Sequence, residues 1–326
     1  MKKSVLLIVA VALAFLMLLA GRFYFTQQDF GLSNPYWNGL FQIGSETRPV
    51  YDIGALSGIG PGATFLVISP QSDYTEPEAS AISSFLRRGG HVVVMDDYGD
   101  SNSLLLAIGS PVTLDQVPLC QNVDYYQVPS FPVIKNINNS SLMENVSSLV
   151  FDHPVSLNVT GDADIIASTS DRGWLDYNDN GMIDKAEHTG RYPVAAEIGY
   201  GSGMLTVIGD PDLLINSMQD QGDNKVLASN ILASGTVYVD MAHGQAMPPI
   251  AQAYYLIKYD LIAQLLCVLA ILLIAYVYYR RNDVARLLHK REESRVEPVD
   301  AKAVIIESMK KTPLSNDQIE EFKRKL

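Results

Sequence analysis

Residues Ala63–Ser69 (ATFLVIS), Thr75–Arg88 (TEPEASAISSFLRR) and His91–Met95 (HVVVM) are the stretch on which the fold turns. The first and third runs are short and almost wholly apolar, which is how a strand reads when both faces of its sheet are covered. The run between them has helical spacing, with Ala79, Ile82, Phe85 and Leu86 on one face. Thr75 stands at the cap position, Glu78 follows three residues on as its capping-box partner, and Gly89-Gly90 ends the helix. Ser101–Ile108 reads as a further helix. A strand–helix–strand–helix order implies a parallel sheet with helices on its faces, an α/β domain.

Downstream, Val112–Thr160 is polar, carries Pro118, Pro129, Pro132 and Pro154, and is expected to be irregular. Strands are expected again at Asp164–Ser168, Val194–Ile198, Met204–Ile208 and Thr236–Val239, with a helix at Asn224–Ala233. Tyr200-Gly201-Ser202-Gly203 joins two strands, so it reads as a hairpin turn rather than a phosphate cradle, which needs a helix after it. Asn138, Asn139, Asn145 and Asn158 each open a sequon, which marks this middle segment as a surface open to glycosylation.

On either side of the domain lie two apolar segments. Val5–Ala20 is 16 unbroken apolar residues behind Lys2 and Lys3; with Ser4 and Gly21 it makes a helix of about 27 Å. Bulky Leu18 sits where a signal peptidase wants a small residue, so the segment reads as an uncleaved anchor. Leu261–Tyr279 is interrupted only by Gln264 and ends in Tyr276, Tyr278, Tyr279, Arg280 and Arg281, the aromatic and basic edge of a helix leaving the bilayer toward the cytoplasm. The expected order is an anchor helix at 1–21, an extracytoplasmic domain at 22–247, a connector at 248–260, a transmembrane helix at 261–279 and a cytoplasmic tail at 280–326. Hydrophobic residues make up 48% and charged residues 18% of the 326, below the roughly one quarter charged of soluble domains, because two lipid-spanning segments are averaged in.

Charge divides along the same boundaries. Residues 22–258 hold 10 bases and 26 acids, a net of −16, whereas Arg280–Arg291 holds five bases and one acid and would favour anionic lipid head groups. The total of −12 excludes a nucleic-acid-binding protein. Two cysteines, Cys120 and Cys267, exclude a disulfide scaffold or a cysteine zinc site.

One motif carries specific chemistry. Residues 176–187 (DYNDNGMIDKAE) match a 12-residue calcium loop at each diagnostic position. Asp176, Asn178 and Asn180 supply side-chain oxygens at positions 1, 3 and 5, and Gly181 permits the sharp turn at 6. Met182 offers its carbonyl at 7, Asp184 acts at 9, and Glu187 closes the site at 12. Glycines and Pro193 on the flanks leave no full helix on either side, so a single structural calcium loop is expected rather than a paired hand.

The stretch 63–109 resembles domain-of-unknown-function family 4350, as do Phe151-Asp152-His153-Pro154-Val155, Tyr200–Gly203 and Gly209-Asp210-Pro211-Asp212 with Leu214-Ile215-Asn216. The resemblance implies a flavodoxin-like sandwich of the class I glutamine amidotransferase type, flanked here by two transmembrane helices. It also implies an archaeal or bacterial membrane protein of the cell envelope. It does not carry amidotransferase chemistry, because the turn after His91–Met95 reads Asp96–Asp100 and holds no cysteine. Gly-x-Ser-x-Gly is absent, and His91, His153, His188, His243 and His289 form no helical metal pair.

Ligands of open α/β sheets collect at the carboxyl ends of the strands, where Asp96, Asp97, Asn102 and Asp210 fall. Loop solvation and helix capping are the competing roles for these four. The functional expectation is a non-enzymatic membrane protein whose outer domain binds or scaffolds envelope components, with calcium stiffening one loop. The alternatives are a divergent hydrolase using the acidic crevice, and a relay to a cytoplasmic partner through the tail, where Ser315 caps a short helix bearing Ile319, Phe322 and Leu326.

Overall fold

The computed structural model describes residues 27–244, 261–280 and 315–325, with isolated positions at 9, 11–13, 15, 16, 304, 305 and 307. The first apolar segment, the connector at 248–260, the basic stretch beyond Arg280 and most of the tail before Ser315 lie wholly or mostly outside the described residues. Contacts divide the chain into Tyr24–Ile250 and a second unit of Met1–Phe23 with Ala251–Leu326.

Tyr24–Ile250 is a mixed α/β unit. Its elements run α1 (Phe41–Gly44), β1 (Thr47–Val50), a 3-10 turn (Ile53–Gly58), β2 (Thr64–Ile68), α2 (Glu76–Arg87), β3 (His91–Met95) and α3 (Ser101–Ala107). Then come β4 (Val112–Gln121), β5 (Val133–Ile134), β6 (Asn136–Ile137), β7 (Leu149–Val150), β8 (Val155–Val159), β9 (Asp164–Ser168) and β10 (Gly173–Leu175). The unit closes with β11 (Pro193–Tyr200), β12 (Gly203–Ile208), a second 3-10 turn (Asp212–Leu214), α4 (Asn224–Ala233) and β13 (Val237–Asp240).

Eight strands form the main sheet in the order β1-β13-β2-β3-β12-β11-β9-β6. The first five are parallel, and β12–β11, β11–β9 and β9–β6 are antiparallel. The expectation of a parallel sheet is therefore corrected to a mixed one. The reason is the two-residue loop Gly201-Ser202, which can join only antiparallel neighbours; Gly201 takes φ +64° at the first loop position, as a type II′ turn requires.

Alternate residues of the central strands feed two cores. Leu66, Ile68, Val93 and Met95 pack with Leu227, Ala228 and Ile231 of α4. Phe65, Val67, Val92 and Val94 pack with Ala79, Ile82, Phe85 and Leu86 of α2. The α2 cap is a closed box in which Glu78 Oε2 accepts the Thr75 N–H at 2.8 Å and the Thr75 hydroxyl at 2.6 Å.

The middle segment is not irregular. It holds β4 to β8, with β4 between β10 and β8 in a second, three-stranded sheet and β5 paired to β7. Pro118 is tolerated in β4 because the register shifts between Leu114 and Pro118, with Gln116 at φ +56°, so no ladder N–H is required of the proline. All four sequon asparagines, Asn138, Asn139, Asn145 and Asn158, are exposed.

In the second unit, α5 (Leu261–Tyr279) includes an 18-residue span, Ile262–Tyr279, of mean hydropathy 2.3, long and apolar enough to cross a membrane. Its Leu265, Leu266, Leu269, Leu273 and Ile274 are exposed, which is unfavourable in water and favourable in lipid. The tail ends in α6 (Asn316–Lys325), whose first turn is capped by the Ser315 N–H donating to Gln318 Oε1 at 3.2 Å.

Gly203 tests the packing of the hairpin on α2. A Cβ there would lie 2.2 Å from both the Leu86 and Gly90 carbonyl oxygens. Gly203→Ala should cost at least ~1–3 kcal/mol by overpacking, against ~1 kcal/mol for losing the cap in Thr75→Ala. Thermal melts should therefore rank Gly203→Ala below Thr75→Ala and both below the parent; the reverse ranking contradicts this packing.

Candidate functional site

Polar chemistry gathers where β3 and β12 end. Asp96 follows β3, is fully buried, and accepts the N–H groups of Gly99 and Ser101 at 3.1 Å each, which caps α3. Only glycine fits at 99, since a Cβ would lie 2.5 Å from Asp96 Oδ1 and 2.7 Å from the Pro70 carbonyl. Asp210 follows β12, is also fully buried, and accepts the N–H of Asp152 and of Asp212 at 2.7 Å each. Gly209 between them leaves no room for a side chain, as a Cβ would lie 2.3 Å from the Val155 carbonyl. The segments 151–155 and 209–212, over 50 residues apart, thus interlock through one carboxylate.

Around these two lie Asp97, Asp152, Asp212 and His153. Burial, reinforced by the charges of Asp96 and Asp152, pushes Asp97 up to about 6. Burial, with the charges of Asp152 and Asp97 and against the opposing effect of His153, pushes Asp212 up to about 7. Asp210 is raised by burial first and then by Asp212 and Asp97. His153 is raised in turn by its 2.6 Å contact with Asp152. The ensemble is a crevice rich in carboxylates that are costly to ionise together.

The loop at 176–187 borders this crevice: the charge of Asp179 reaches Tyr98, Cys120 and His153. Its base is pinned by β10, by the Asp176 N–H donating to the Pro118 carbonyl at 2.8 Å, and by the Gly190 N–H donating to Gly173 at 2.8 Å. Its oxygens turn inward. Asp176, almost fully buried, accepts the N–H groups of Asn180 and Gly181 at 3.2 and 2.6 Å. Asp184 Oδ2 accepts the amides of Asn178 and Asn180 at 2.7 and 3.0 Å. Glu187, also buried, accepts the N–H groups of Tyr177 and Asp184 at 3.0 and 2.9 Å. Met182 donates its N–H to Asn180 at 2.8 Å, and Gly181 holds φ +70°. Hard oxygens of this type suit calcium. As placed, they bond to one another's loop, and no three His, Cys, Asp or Glu side chains converge as a metal group among the described residues.

Of the four crevice residues expected from sequence, Asp96, Asp97 and Asp210 come together. Asn102 does not: its amide exchanges two 2.9 Å hydrogen bonds with the backbone of Leu114 and ties α3 to β4. Asp152, His153 and Asp212 join the crevice unforeseen, although the segments 151–155 and 209–212 were visible as motifs. Cys120 is buried on β4 opposite Trp174, its thiol pushed up to about 12 by burial and then by Asp176, Asp179 and Glu187. It is an inert thiol.

The crevice generates a pH test. A carboxyl group raised in the fold contributes stability fully below its unfolded value, about 3.9, and loses it as the pH climbs through the folded value, about 7 for Asp212. Asp212→Asn should therefore raise Tm at alkaline pH in calcium-free buffer by ~2–4 °C. The gain should vanish under acid conditions; melts showing no pH dependence of the difference contradict the placement.

Solved structures with similar chain traces include the mmIFT52 N-terminal domain, at 18% identity over 55% of this chain and 78% of that one, with TM-score 0.43. A β-galactosidase from Rahnella sp. R3 matches at 11% identity over 53% of this chain, TM-score 0.33, and the match spans only 22% of the galactosidase. The cytoplasmic protein STM1381 from Salmonella typhimurium LT2 matches at 12% over 61% and 80% of the two chains, TM-score 0.34. No curated protein sequence matches the chain. The sequence profile described as Domain of unknown function (DUF4350) matches residues 41–232, which take in the acidic strand ends and the loop at 176–187, and the chain belongs to that family.

Proposed function

We propose that the chain is a membrane-anchored, non-enzymatic protein whose α/β domain works outside the cytoplasm, binding or scaffolding envelope components, with one calcium ion held by residues 176–187. The observation that carries this reading is the loop itself. Asp176, Asn178, Asn180, Asp184 and Glu187 are folded back onto one loop by its own N–H and amide groups, with its base pinned by β10, beside a carboxylate crevice that a cation would relieve. Calcium would draw its ligands from these side chains and the Met182 carbonyl, and the chemistry it supplies is charge neutralisation and stiffening. The doubly covered sheet supports a flavodoxin-like, amidotransferase-like sandwich as the finer fold. Within it, the turn at Asp96–Asp100 holds no cysteine, and Asp96 is spent on accepting the N–H groups of Gly99 and Ser101.

The apolar span Ile262–Tyr279, followed by basic residues, supports a second membrane crossing after an anchor at 1–21, with both termini in the cytoplasm and lipid as a partner. Exposure of Asn138, Asn139, Asn145 and Asn158 fits glycan attachment on the outer face.

A divergent hydrolase is the second reading. Asp97 near 6 and Asp212 near 7 are carboxyl groups of the strength a general acid needs. Among the described residues no nucleophile–base pair accompanies them, so an activity that disappears in Asp97→Ala with the fold retained would favour this reading over binding.

Two experiments test the main reading. With a Kd of about 0.3 mM, in the class of extracellular modules, about 10 mM calcium should stabilise the detergent-solubilised protein by ~2 kcal/mol, or ~4–8 °C in Tm. The shift should be lost in Glu187→Gln; equal melts with calcium and with chelator would sink the calcium site. For topology, Asn139→Cys should react with a membrane-impermeant maleimide on intact cells and Ser315→Cys should not. Labelling of both, or of Ser315→Cys alone, overturns the orientation.

A further inference from the structure

The α/β domain begins and ends at one edge of its main sheet. Gln28, near its start, and Gly244, at its end, line the same cavity at the carboxyl ends of β2 and β13. Every exposed tyrosine and tryptophan among the described residues of the domain lies at that edge as well. We propose that this edge is a lipid-docking surface, set against the head groups of the membrane that anchors the chain. The proposal rests on the membrane-anchored reading and names the face of the domain that meets lipid.

The aromatic side chains reach this edge by separate routes. Tyr51 directly follows β1, and Tyr98 lies in the turn after β3. The Tyr36 carbonyl accepts the Asn216 amide at 2.6 Å and the Trp37 carbonyl accepts the Ser217 N–H at 3.0 Å, just beyond the 3-10 turn that follows β12. Tyr125 and Tyr126 sit in the turn whose Ser130 carbonyl accepts the His153 N–H at 2.9 Å, beside Asp152 and Asp210. Tyr177 stands on the loop at 176–187, which adds an exposed Met182. At the opposite edge, where the Gly201-Ser202 hairpin and the start of β3 lie, no tyrosine or tryptophan is exposed among the described residues.

An indole or phenol ring gains by entering the head-group layer, where its apolar body leaves water and its polar tip stays wet. Trp37, 68% exposed, has the most to gain. Chain length names the occupant. Gln28 lies seven residues beyond Gly21, a separation that reaches at most ~25 Å even when fully extended. With Val5–Ala20 in the bilayer, the edge bearing Gln28 therefore stays within that distance of lipid. Charge narrows the kind of lipid. Asp97, Asp152 and Asp212 at this edge would be repelled by bare anionic head groups, and Arg87 lies at the opposite edge, against Gly201. A zwitterionic or calcium-bearing head-group layer is the one that fits.

The test places the full-length protein in phosphatidylcholine nanodiscs at saturating calcium, with and without a lipid that carries a nitroxide on its head group. Trp37 and Trp174 are the two tryptophans of the chain and Trp174 is buried, so quenching by the nitroxide lipid reports on Trp37. That lipid should remove most of the Trp37 emission. Trp37→Phe, at an exposed position, should keep the parent Tm in detergent and leave a residual emission that the nitroxide lipid does not change. In that background Met204→Trp, exposed at the start of β12, reports on the opposite edge and should stay unquenched. Protein that enters the discs with Trp37 unquenched overturns the docking surface and leaves the anchor standing. Quenching of Met204→Trp as strong as that of Trp37, or quenching that persists in Trp37→Phe, overturns it too. Protein that fails to enter the discs overturns the anchored reading and this proposal with it.

Discussion

Covering β2 and β3 on both faces leaves no place along either strand for an unpaired polar side chain, and the rest of the molecule follows from that constraint. Phe65 to Ile68 and Val92 to Met95 are buried, with alternate residues committed to α2 on one side and α4 on the other. Charged groups can sit only where the strands stop. Three central parallel strands use the same device there: an aspartate at the strand end turns back to accept the N–H groups of the residues that follow. Asp96 does so after β3, Asp210 after β12 and Asp240 at the end of β13. Each hydrogen bond to a buried carboxylate contributes about 1.5–3 kcal/mol, which is why these turns are ordered although they lie outside any helix or strand.

Once the strand ends are aspartates, more carboxylates arrive at the same edge, and here two environments separate. Asp96, Asp210 and Asp240 each have backbone donors on both oxygens or from two residues. Asp97 and Asp212 are half-buried without such a set, and burial raises them as it raises Asp96 and Asp210. The first group builds the turns. Together Asp96, Asp97, Asp210 and Asp212 store unfavourable charge that protonation or a cation relieves. The loop at 176–187 adds Asp179 to the same field, so the cation chemistry read from one motif and the crevice read from another occupy one edge of the domain.

Local patterns were enough for α2, down to its four buried apolar residues and its cap, for α4 over Asn224–Ala233, and for the hairpin at Gly201-Ser202. In each, the signal lies within a dozen residues: a 3.6 period, a capping box, a glycine at a turn. The middle segment misled because Pro118 and its neighbours look like a loop. A bulge that spares the proline its ladder bond cannot be seen until β8 is alongside. Asn102 misled for a similar reason, since its partner Leu114 is supplied by the next strand.

Residue order along the chain set the fold class, the apolar spans, the charge boundary at the expected membrane and the oxygen spacing of the loop, because each depends on periodicity or spacing over short distances. Which carboxylates meet was left to long-range packing. Asp210 reaches Asp152 across 58 residues and Tyr74 reaches Asp240 across 166, and neither separation carries a periodic signal. Parallel strands bring distant chain ends to one edge, so the sites there are assembled by sheet order: β13 inserting between β1 and β2 is what sets Asp240 beside Ser69.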